Sequence, residues 1–336
     1  MARLSVLLPV RDAQDTLSEC LGSLRSQTLT DHEVVVVDDG SSDTTPACLE
    51  TWAREDPRLR VLRTSRLGLV PALNLALAEA RAPLVARMDA DDVAYPERLE
   101  KQARRLGEDA RVDVLGCRVE LVCETGVPPA GGMRAYVDWS NGLLGHEAME
   151  RDRFVESPLV HPSVAMRRQT LLDLGGWPDL DGPEDYELWL RCFEAGLRFE
   201  KLDQVLLRWR DRPGRLTRAD PRYSPARFLA TKVAALGRGP LASGRPVVVW
   251  GAGDIGKAWA RALKRAGHQV RAFVEVHPRR IGQTIHGAPV IAVVDAAGLR
   301  GPLHLAAVGQ RGARERIRVE AARLGLVDGH DLLAVA

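Results

Sequence analysis

Short apolar runs alternate with helix-period stretches along the first ninety residues. Leu4 to Pro9 and Glu33 to Val37 are β-branched and leucine-rich runs of strand length, and Leu17, Cys20, Leu21 and Leu24 between them recur at helical spacing. That alternation predicts a β-α-β unit. Leu59 to Leu62 predicts a third strand, Leu73 and Leu77 share one face of a following helix, and the run from Pro83 predicts a fourth strand ending at Asp89. The pattern returns after residue 245. Pro246 to Trp250 and Gln269 to Val276 predict strands around a helix, with Pro289-Val290-Ile291 and Leu303 to Val308 as further parallel strands. Between about 211 and 245 the chain is rich in Pro, Gly and Arg, with one helical interval near Ala226 to Leu236, as in a connection between domains.

The fourth predicted strand delivers Asp89, Ala90, Asp91 and Asp92 to its C-terminal end, which is the ligand-binding edge of an open α/β sheet. Carboxylates packed this closely repel one another, and a hard divalent ion between them relieves the repulsion. Asp89 and Asp91 are therefore candidate ligands for Mg²⁺ or Mn²⁺; the alternative is an acidic turn capping the helix that begins near Pro96. The second strand ends in Asp38-Asp39-Gly40-Ser41-Ser42-Asp43, beside the first-strand loop Pro9-Val10-Arg11. These carboxylates either cap the next helix or hydrogen-bond a base or ribose. Downstream, His161 stands in an apolar segment as a buried structural imidazole would, and Trp177 after Gly175-Gly176 fits packing or stacking on a sugar ring equally. Glu184-Asp185 opens a helix whose acidic first turn suits the helix dipole; one of the two is also a candidate general base. Five arginines between Leu206 and Arg218 sit in a span expected to be irregular.

Composition narrows the classes. The chain has 336 residues, 45% hydrophobic and 27% charged, enough for two soluble cores. A formal net charge of +2 supplies no global field for nucleic acid. Five scattered cysteines without metal-finger spacing suit a reducing cytoplasm. The N-terminal run reads as a strand rather than a signal peptide, and no window reaches the roughly 18 apolar residues of a membrane span. Membrane contact, if any, is expected to be peripheral, at the inner face of the plasma membrane.

Five blocks in order resemble the inverting nucleotide-sugar glycosyltransferases of family 2, with the glycosyltransferase-A fold. They are the opening strand with Pro9, Val36-Val37-Asp38-Asp39-Gly40-Ser41-Ser42-Asp43, Ala72-Leu73-Asn74 with Ala78, Ala86-Arg87-Met88-Asp89-Ala90-Asp91-Asp92, and Pro96-Glu97-Arg98 through Gln102. Coverage runs from about residue 3 to residue 230. The resemblance implies that Asp39 contacts the donor base, that Pro9, Val10 and Arg11 line the nucleotide pocket with Asn74, and that Asp89 and Asp91 hold a metal bridging the diphosphate. It also implies a base at Asp185 with Glu184 as its neighbour, and a role for Asp92 in orienting the donor sugar or capping the next helix. Arg66 is a candidate for stabilising the leaving group. The family often carries a His in a closing loop after the acceptor half, and this chain shows arginines there instead. A UDP-sugar is the default donor and a hydroxyl of a bacterial glycan or glycolipid the expected acceptor.

The second part carries Gly251-Ala252-Gly253-Asp254-Ile255-Gly256 between a strand and a helix, with Glu275 about 20 positions on. In that context the three glycines suit a pyrophosphate and the acid a ribose, so NAD(P) stays an open cofactor, beside a nucleotide sugar and a purely structural, dimerising role. Phe273-Val274-Glu275 and Ile285-His286-Gly287-Ala288-Pro289-Val290 resemble the small Rossmann-like domains attached to bacterial sugar-modifying enzymes. The expected organisation is α/β throughout: a glycosyltransferase-A-type nucleotide-binding mixed sheet flanked by helices over 1–230, a linker over 231–245, and a smaller Rossmann-like α/β domain over 246–336. Two other functions stay open: an NAD(P)-dependent sugar-nucleotide oxidoreductase centred on the second domain, and a catalytically degenerate nucleotide-sugar-binding scaffold.

Overall fold

A computed structural model describes residues 2–123, 131–212 and 214–336. Its contacts divide the chain into two compact units. The first comprises Met1–His146, Leu159–Leu180 and Glu184–Ala219; the second comprises Glu147–Pro158, Asp181–Pro183 and Asp220–Ala336.

The first unit is built on eight strands: β1 (Leu4–Val10), β2 (His32–Asp39), β3 (Leu59–Thr64), β4 (Leu84–Arg87), β5 (Val93–Ala94), β6 (Val114–Cys123), β7 (Ala165–Arg167) and β8 (Phe199–Asp211). They form one sheet in the order β3-β2-β1-β4-β7-β6-β8-β5. The pairs β3/β2, β2/β1 and β1/β4 are parallel, whereas β7 runs antiparallel to both β4 and β6, which makes the sheet mixed. Every residue of β1, β2 and β4 is buried, as expected for strands covered on both faces. Leu17, Cys20, Leu21 and Leu24 of the helix Leu17–Arg25 close one side, joined by Leu99, Ala103 and Leu106 of the helix Arg98–Glu108.

The expected strands and intervening helices of this half are all present. The arginine-rich segment differs from expectation, because β8 runs on as regular strand to Asp211. Leu207, Trp209 and Asp211 alternate inward while Arg208 and Arg210 are half-exposed, and Arg210 pairs with Glu19. The arginines masked a period-2 pattern. Of that segment, Pro213 lies outside the described residues.

The second unit has six strands: β9 (Val247–Trp250), β10 (Val270–Glu275), β11 (Thr284–Ile285), β12 (Ala288–Ala292), β13 (Leu303–Ala306) and β14 (Leu332–Ala334). Their order is β11-β12-β10-β9-β13-β14, parallel except for the β11/β12 hairpin. The glycine loop follows β9, and the helix Asp254–Arg265 begins directly after Gly253. Gly256 lies so close to the loop that a Cβ there would overlap the carbonyl oxygen of Gly251. Among the described residues, no helix is long and apolar enough to cross a membrane.

Candidate active site

Because β3, β2, β1 and β4 are parallel, Thr64, Asp39, Val10 and Arg87 end along one edge of the sheet. The loop after β1 is fastened to the loop after β2. Asp12, at φ 45°, accepts from Ser42 N at 2.8 Å, and its own N–H donates to Ser41 Oγ at 3.0 Å. Ala13 N donates to Thr45 Oγ1 at 2.8 Å. The Ser42 N–H foremost, and then its hydroxyl, hold the Asp12 carboxyl below its ordinary pKa. Pro9 and Val10 are buried in β1, and Arg11 is exposed just past it.

Asp39 is buried at the end of β2. Its Oδ1 accepts from Thr64 Oγ1 (2.8 Å) and Leu67 N (2.5 Å), and its Oδ2 from Gly68 N (2.8 Å). Both oxygens therefore organise the loop after β3. In that loop Arg66 adopts φ 56° and is exposed, and its N–H lies 2.8 Å from where a Cβ on Gly40 would stand. Only a glycine fits at position 40, which itself has φ 68°.

Beyond β4, ligand oxygens of Asp89, Asp91 and Asp92 lie within 4.8 Å of one another. Asp89 is ion-paired with Arg87, and Arg212 Nε lies 3.0 Å from Asp91 Oδ2. Burial, then repulsion from Asp89, raises the pKa of Asp91. Burial, with Asp89 and Asp91 next, pushes that of Asp92 well up. Asp92 is buried; Oδ1 accepts from Arg210 N at 2.8 Å, while Oδ2 has no hydrogen-bond partner. The carbonyl of Ala90 accepts from Thr16 Oγ1 at 3.0 Å, which anchors the turn. The capping alternative is not used, because the next helix has Glu97 at its N-cap and no side-chain cap. Three clustered oxygen donors, one of them orphaned, fit a hard divalent cation such as Mn²⁺ or Mg²⁺.

The acceptor-side residues form a second network. The Asn74 amide bonds the backbone of Trp177 twice: Nδ2 donates to the Trp177 carbonyl and Oδ1 accepts from Trp177 N, each at 2.9 Å. Gly176, at φ 71°, has no room for a side chain beside Asn74 Oδ1. Trp177 is 3% exposed and its Nε1–H donates to His161 Nε2 at 2.8 Å. An indole only donates, so the His161 proton sits on Nδ1, 3.7 Å from Glu184 Oε1. Burial, then the nearby Arg87 charge, depresses the His161 pKa well below its ordinary value, so the ring is neutral. Glu184 is buried at the start of the helix Glu184–Glu194, and Asp185 beside it is half-exposed.

Comparison with known proteins now bears on this edge. The family profile described as "Glycosyl transferase family 2" matches residues 5–175. The chain belongs to glycosyl transferase family 2. Among family relatives, "Amylovoran biosynthesis glycosyltransferase AmsE" of Erwinia amylovora is 31% identical over 209 residues, 61% of this chain and 75% of the relative. "UDP-Gal:alpha-D-GlcNAc-diphosphoundecaprenol beta-1,3-galactosyltransferase" of Escherichia coli is 28% identical over 208 residues, 61% of this chain and 73% of the relative. In fold, the chain is similar to S. aureus TarS 1-349, solved with UDP-GlcNAc, at a TM-score of 0.57 and 23% identity, covering 79% of this chain and 72% of that one. It is also similar to the mannosyltransferase PcManGT from Pyrobaculum calidifontis, solved with GDP-Man and Mn²⁺, at a TM-score of 0.51 and 19% identity, covering 96% and 80%. The protein is a family 2 glycosyltransferase with a glycosyltransferase-A-like mixed sheet and a second, smaller sheet.

Within this family 2 enzyme, the structure refines several sequence-based expectations. Asn74, expected at the nucleotide, instead clamps the Gly175-Gly176-Trp177 turn, because its amide matches a backbone donor and acceptor together. Trp177 packs and bonds to His161, and so has no open ring face for a sugar. Arg87, paired with Asp89, was missed, whereas Arg212, paired with Asp91, is one of the arginines of the segment ending at Arg218. The signal for Arg87 was a charge in an otherwise apolar strand run, Leu84-Val85-Ala86. In the second unit, Glu275 is turned onto its own surroundings, accepting from Ala252 N (3.1 Å), Val276 N (2.8 Å) and Arg280 Nη1 (3.1 Å).

Proposed function

We propose that the protein is a metal-dependent, inverting glycosyltransferase that moves a sugar from a nucleoside-diphosphate sugar to a hydroxyl acceptor in bacterial glycan or glycolipid synthesis. The observation that carries this reading is the carboxylate cluster Asp89/Asp91/Asp92 at the C-terminal edge of the parallel strands, with an orphaned Asp92 oxygen. Polysaccharide assembly follows from the relatives' names, and UDP is the default donor nucleotide from the galactosyltransferase and from TarS. We take residues 1–230 as catalytic, 231–245 as linker and 246–336 as a separate domain, in a protein of the cytoplasmic side that meets its acceptor at the inner membrane face.

In this reading Pro9, Val10 and Arg11 line the nucleotide pocket, and Asp39 shapes it through the Thr64–Gly68 loop. Asp89 and Asp91 would hold the divalent ion, which when bound supplies positive charge to the departing diphosphate. Asp185 accepts the proton of the acceptor hydroxyl as its oxygen bonds to the anomeric carbon. The bond from that carbon to the diphosphate oxygen breaks on the opposite face, and no covalent enzyme intermediate forms. Glu184 lies beside His161, with Oε1 3.7 Å from Nδ1, and Arg66 and Arg212 are the candidate cations for the leaving group.

The decisive experiment is transfer from UDP- and GDP-sugars in Mn²⁺, Mg²⁺ or EDTA, with the product anomer read by NMR. Undiminished transfer in EDTA would sink metal dependence, and a retained anomeric configuration would sink inversion.

A second reading concerns the glycine loop alone. Gly251, Gly253 and Gly256 between β9 and a helix would accept a nucleotide diphosphate, NAD(P) included, if Glu275 released Ala252 N. Thermal-shift titration of the full chain with NAD(H), read against Gly253→Val, tests it.

A further inference from the structure

We propose that Arg87 is a positioning residue of the transfer reaction: its buried guanidinium is ion-paired with the Asp89 carboxylate on the donor side and borders a small cavity with Trp177 and Trp189, the two rings packed against His161, on the acceptor side, so that one cation sets both halves of the site. The inference rests on the reading of Asp89 as a metal ligand and of the start of the helix Glu184–Glu194 as the base-bearing end.

The root of the side chain cannot drift. Arg87 N donates to Val164 O at 2.9 Å, Arg87 O accepts from Arg98 Nη2 at 2.7 Å, and the next N–H, of Met88, donates to Leu7 O at 3.1 Å. Arg98 is itself fully buried and braced by Gln102. The strand end is thus pinned by β1, by the segment before β7 and by a helix.

At the other end, the guanidinium is 5% exposed and ion-paired with Asp89. Water cannot screen it there, so carboxylates must balance its charge. The adjacent small cavity, bounded by Arg87, Trp177 and Trp189, measures about 10 Å³. That is at the lower limit for one water and leaves no room for another counter-ion. On the acceptor side the same charge disfavours protonation of His161, whose Nδ1–H faces Glu184. Arg87 therefore orients Asp89 while its charge favours the neutral form of His161, whose Nδ1 lies 3.7 Å from Glu184.

A guanidinium can do this and an ammonium cannot. The planar guanidinium fixes the direction of its charge and donors, whereas lysine is a single point charge on a flexible stem. A residue that only neutralised charge would tolerate Lys; a residue that orients two partners would not.

The test compares the full-length wild type with Arg87→Lys, Glu184→Gln, their double variant and Asp185→Asn. Mn²⁺ affinity is measured calorimetrically without donor, and kcat, KM and the thermal midpoint separately. Loss of a group that orients a metal ligand typically costs about 10–100-fold in affinity or activity. Arg87→Lys is therefore expected to weaken Mn²⁺ binding about 10-fold and to lower kcat at least as much, with a smaller change in acceptor KM. Asp185→Asn should keep the Mn²⁺ affinity. The Arg87→Lys and Glu184→Gln losses in kcat should be less than multiplicative, because each breaks the same link. If Arg87→Lys lowers only the thermal midpoint, leaving Mn²⁺ affinity and kcat within twofold, Arg87 is a structural counter-ion and the proposal is overturned. Multiplicative losses overturn the acceptor-side half. Should Arg87→Lys not fold, Arg87→Gln, a planar donor without charge, carries the same expectations. If wild type binds no Mn²⁺, or Asp91→Asn binds it as well as wild type, the metal reading itself has failed, and this inference with it.

Discussion

Arg212 Nε lies 3.0 Å from Asp91 Oδ2, so this carboxylate has a counter-charge that is partly exposed and able to leave, unlike the buried Arg87 beside Asp89. Even so, burial and then Asp89 outweigh Arg212 and keep the Asp91 pKa above its ordinary value. Ionising Asp91 thus costs the metal-free fold stability. Asp91→Asn removes that cost at nearly constant shape. The expected outcome is a thermal midpoint, measured in EDTA, that is no lower than wild type, together with loss of the Mn²⁺-induced rise in midpoint. A retained Mn²⁺ response in Asp91→Asn would remove Asp91 from the ligand set.

Asp185 is half-exposed at the start of its helix, next to the buried Glu184. A general base contributes roughly 10²–10⁴-fold to rate. Asp185→Asn is expected to lower kcat by about that factor while Mn²⁺-dependent binding of a UDP-sugar, followed by calorimetry, stays within about threefold of wild type. Equal loss of binding and turnover would show that Asp185 belongs to the donor site instead.

The neutral, buried His161 makes stability depend on pH. Its folded-state pKa is depressed, so between that value and the unfolded value near 6.5 the unfolded chain binds more protons. Stability is therefore fully present above about pH 6.5 and falls as the pH drops below it. Urea unfolding at pH 7.5 and pH 5.5 should show a larger loss for wild type than for His161→Gln, which does not titrate. At pH 7.5 the variant should itself be about 1–3 kcal/mol less stable if Trp177 Nε1 is left unpaired, and less affected if the Gln carbonyl replaces the ring nitrogen. Parallel pH profiles for the two proteins would show that another group controls the acid limb.

Strands β1, β2 and β4 were legible because each holds an apolar run, and the metal-ligand candidates because carboxylates interrupt such a run at its end. What one residue does with its hydrogen bonds was not legible. Asn74 and Trp177 are 103 positions apart, and only the folded chain shows that the amide of one matches the backbone of the other. Asp39 is similar: its position at a strand end is a matter of pattern, but the approach of Leu67 and Gly68 N–H groups depends on the turn at Arg66. The end of β8 was hidden for a different reason. Charged residues on its half-exposed face diluted the alternation carried by Leu207, Trp209 and Asp211.

The glycines of the loop after β9 can be separated by what surrounds them. At Gly256 a Cβ would overlap the Gly251 carbonyl oxygen, a backbone atom that no rotamer change can move aside. At Gly253, φ −81° and ψ −170° suit any residue, and the nearest atom to a new Cβ is Arg280 Nη1 at 3.7 Å, the end of a flexible side chain. Gly256→Ala is thus expected to destabilise the second unit by about 3 kcal/mol, the upper end of ordinary overpacking, whether or not a ligand is present. Gly253→Ala is expected to leave the unfolding midpoint unchanged. The pair therefore divides two roles that one motif combines: Gly256 serves helix–strand packing, and Gly253 keeps a surface open. If Gly253→Ala retains full stability yet loses a nucleotide-induced rise in thermal midpoint that wild type shows, the opening at Gly253 is a binding surface. If the wild type shows no such rise with NAD(H), UDP or UDP-sugars, the loop is a packing device, and the stability loss in Gly256→Ala is its whole signature.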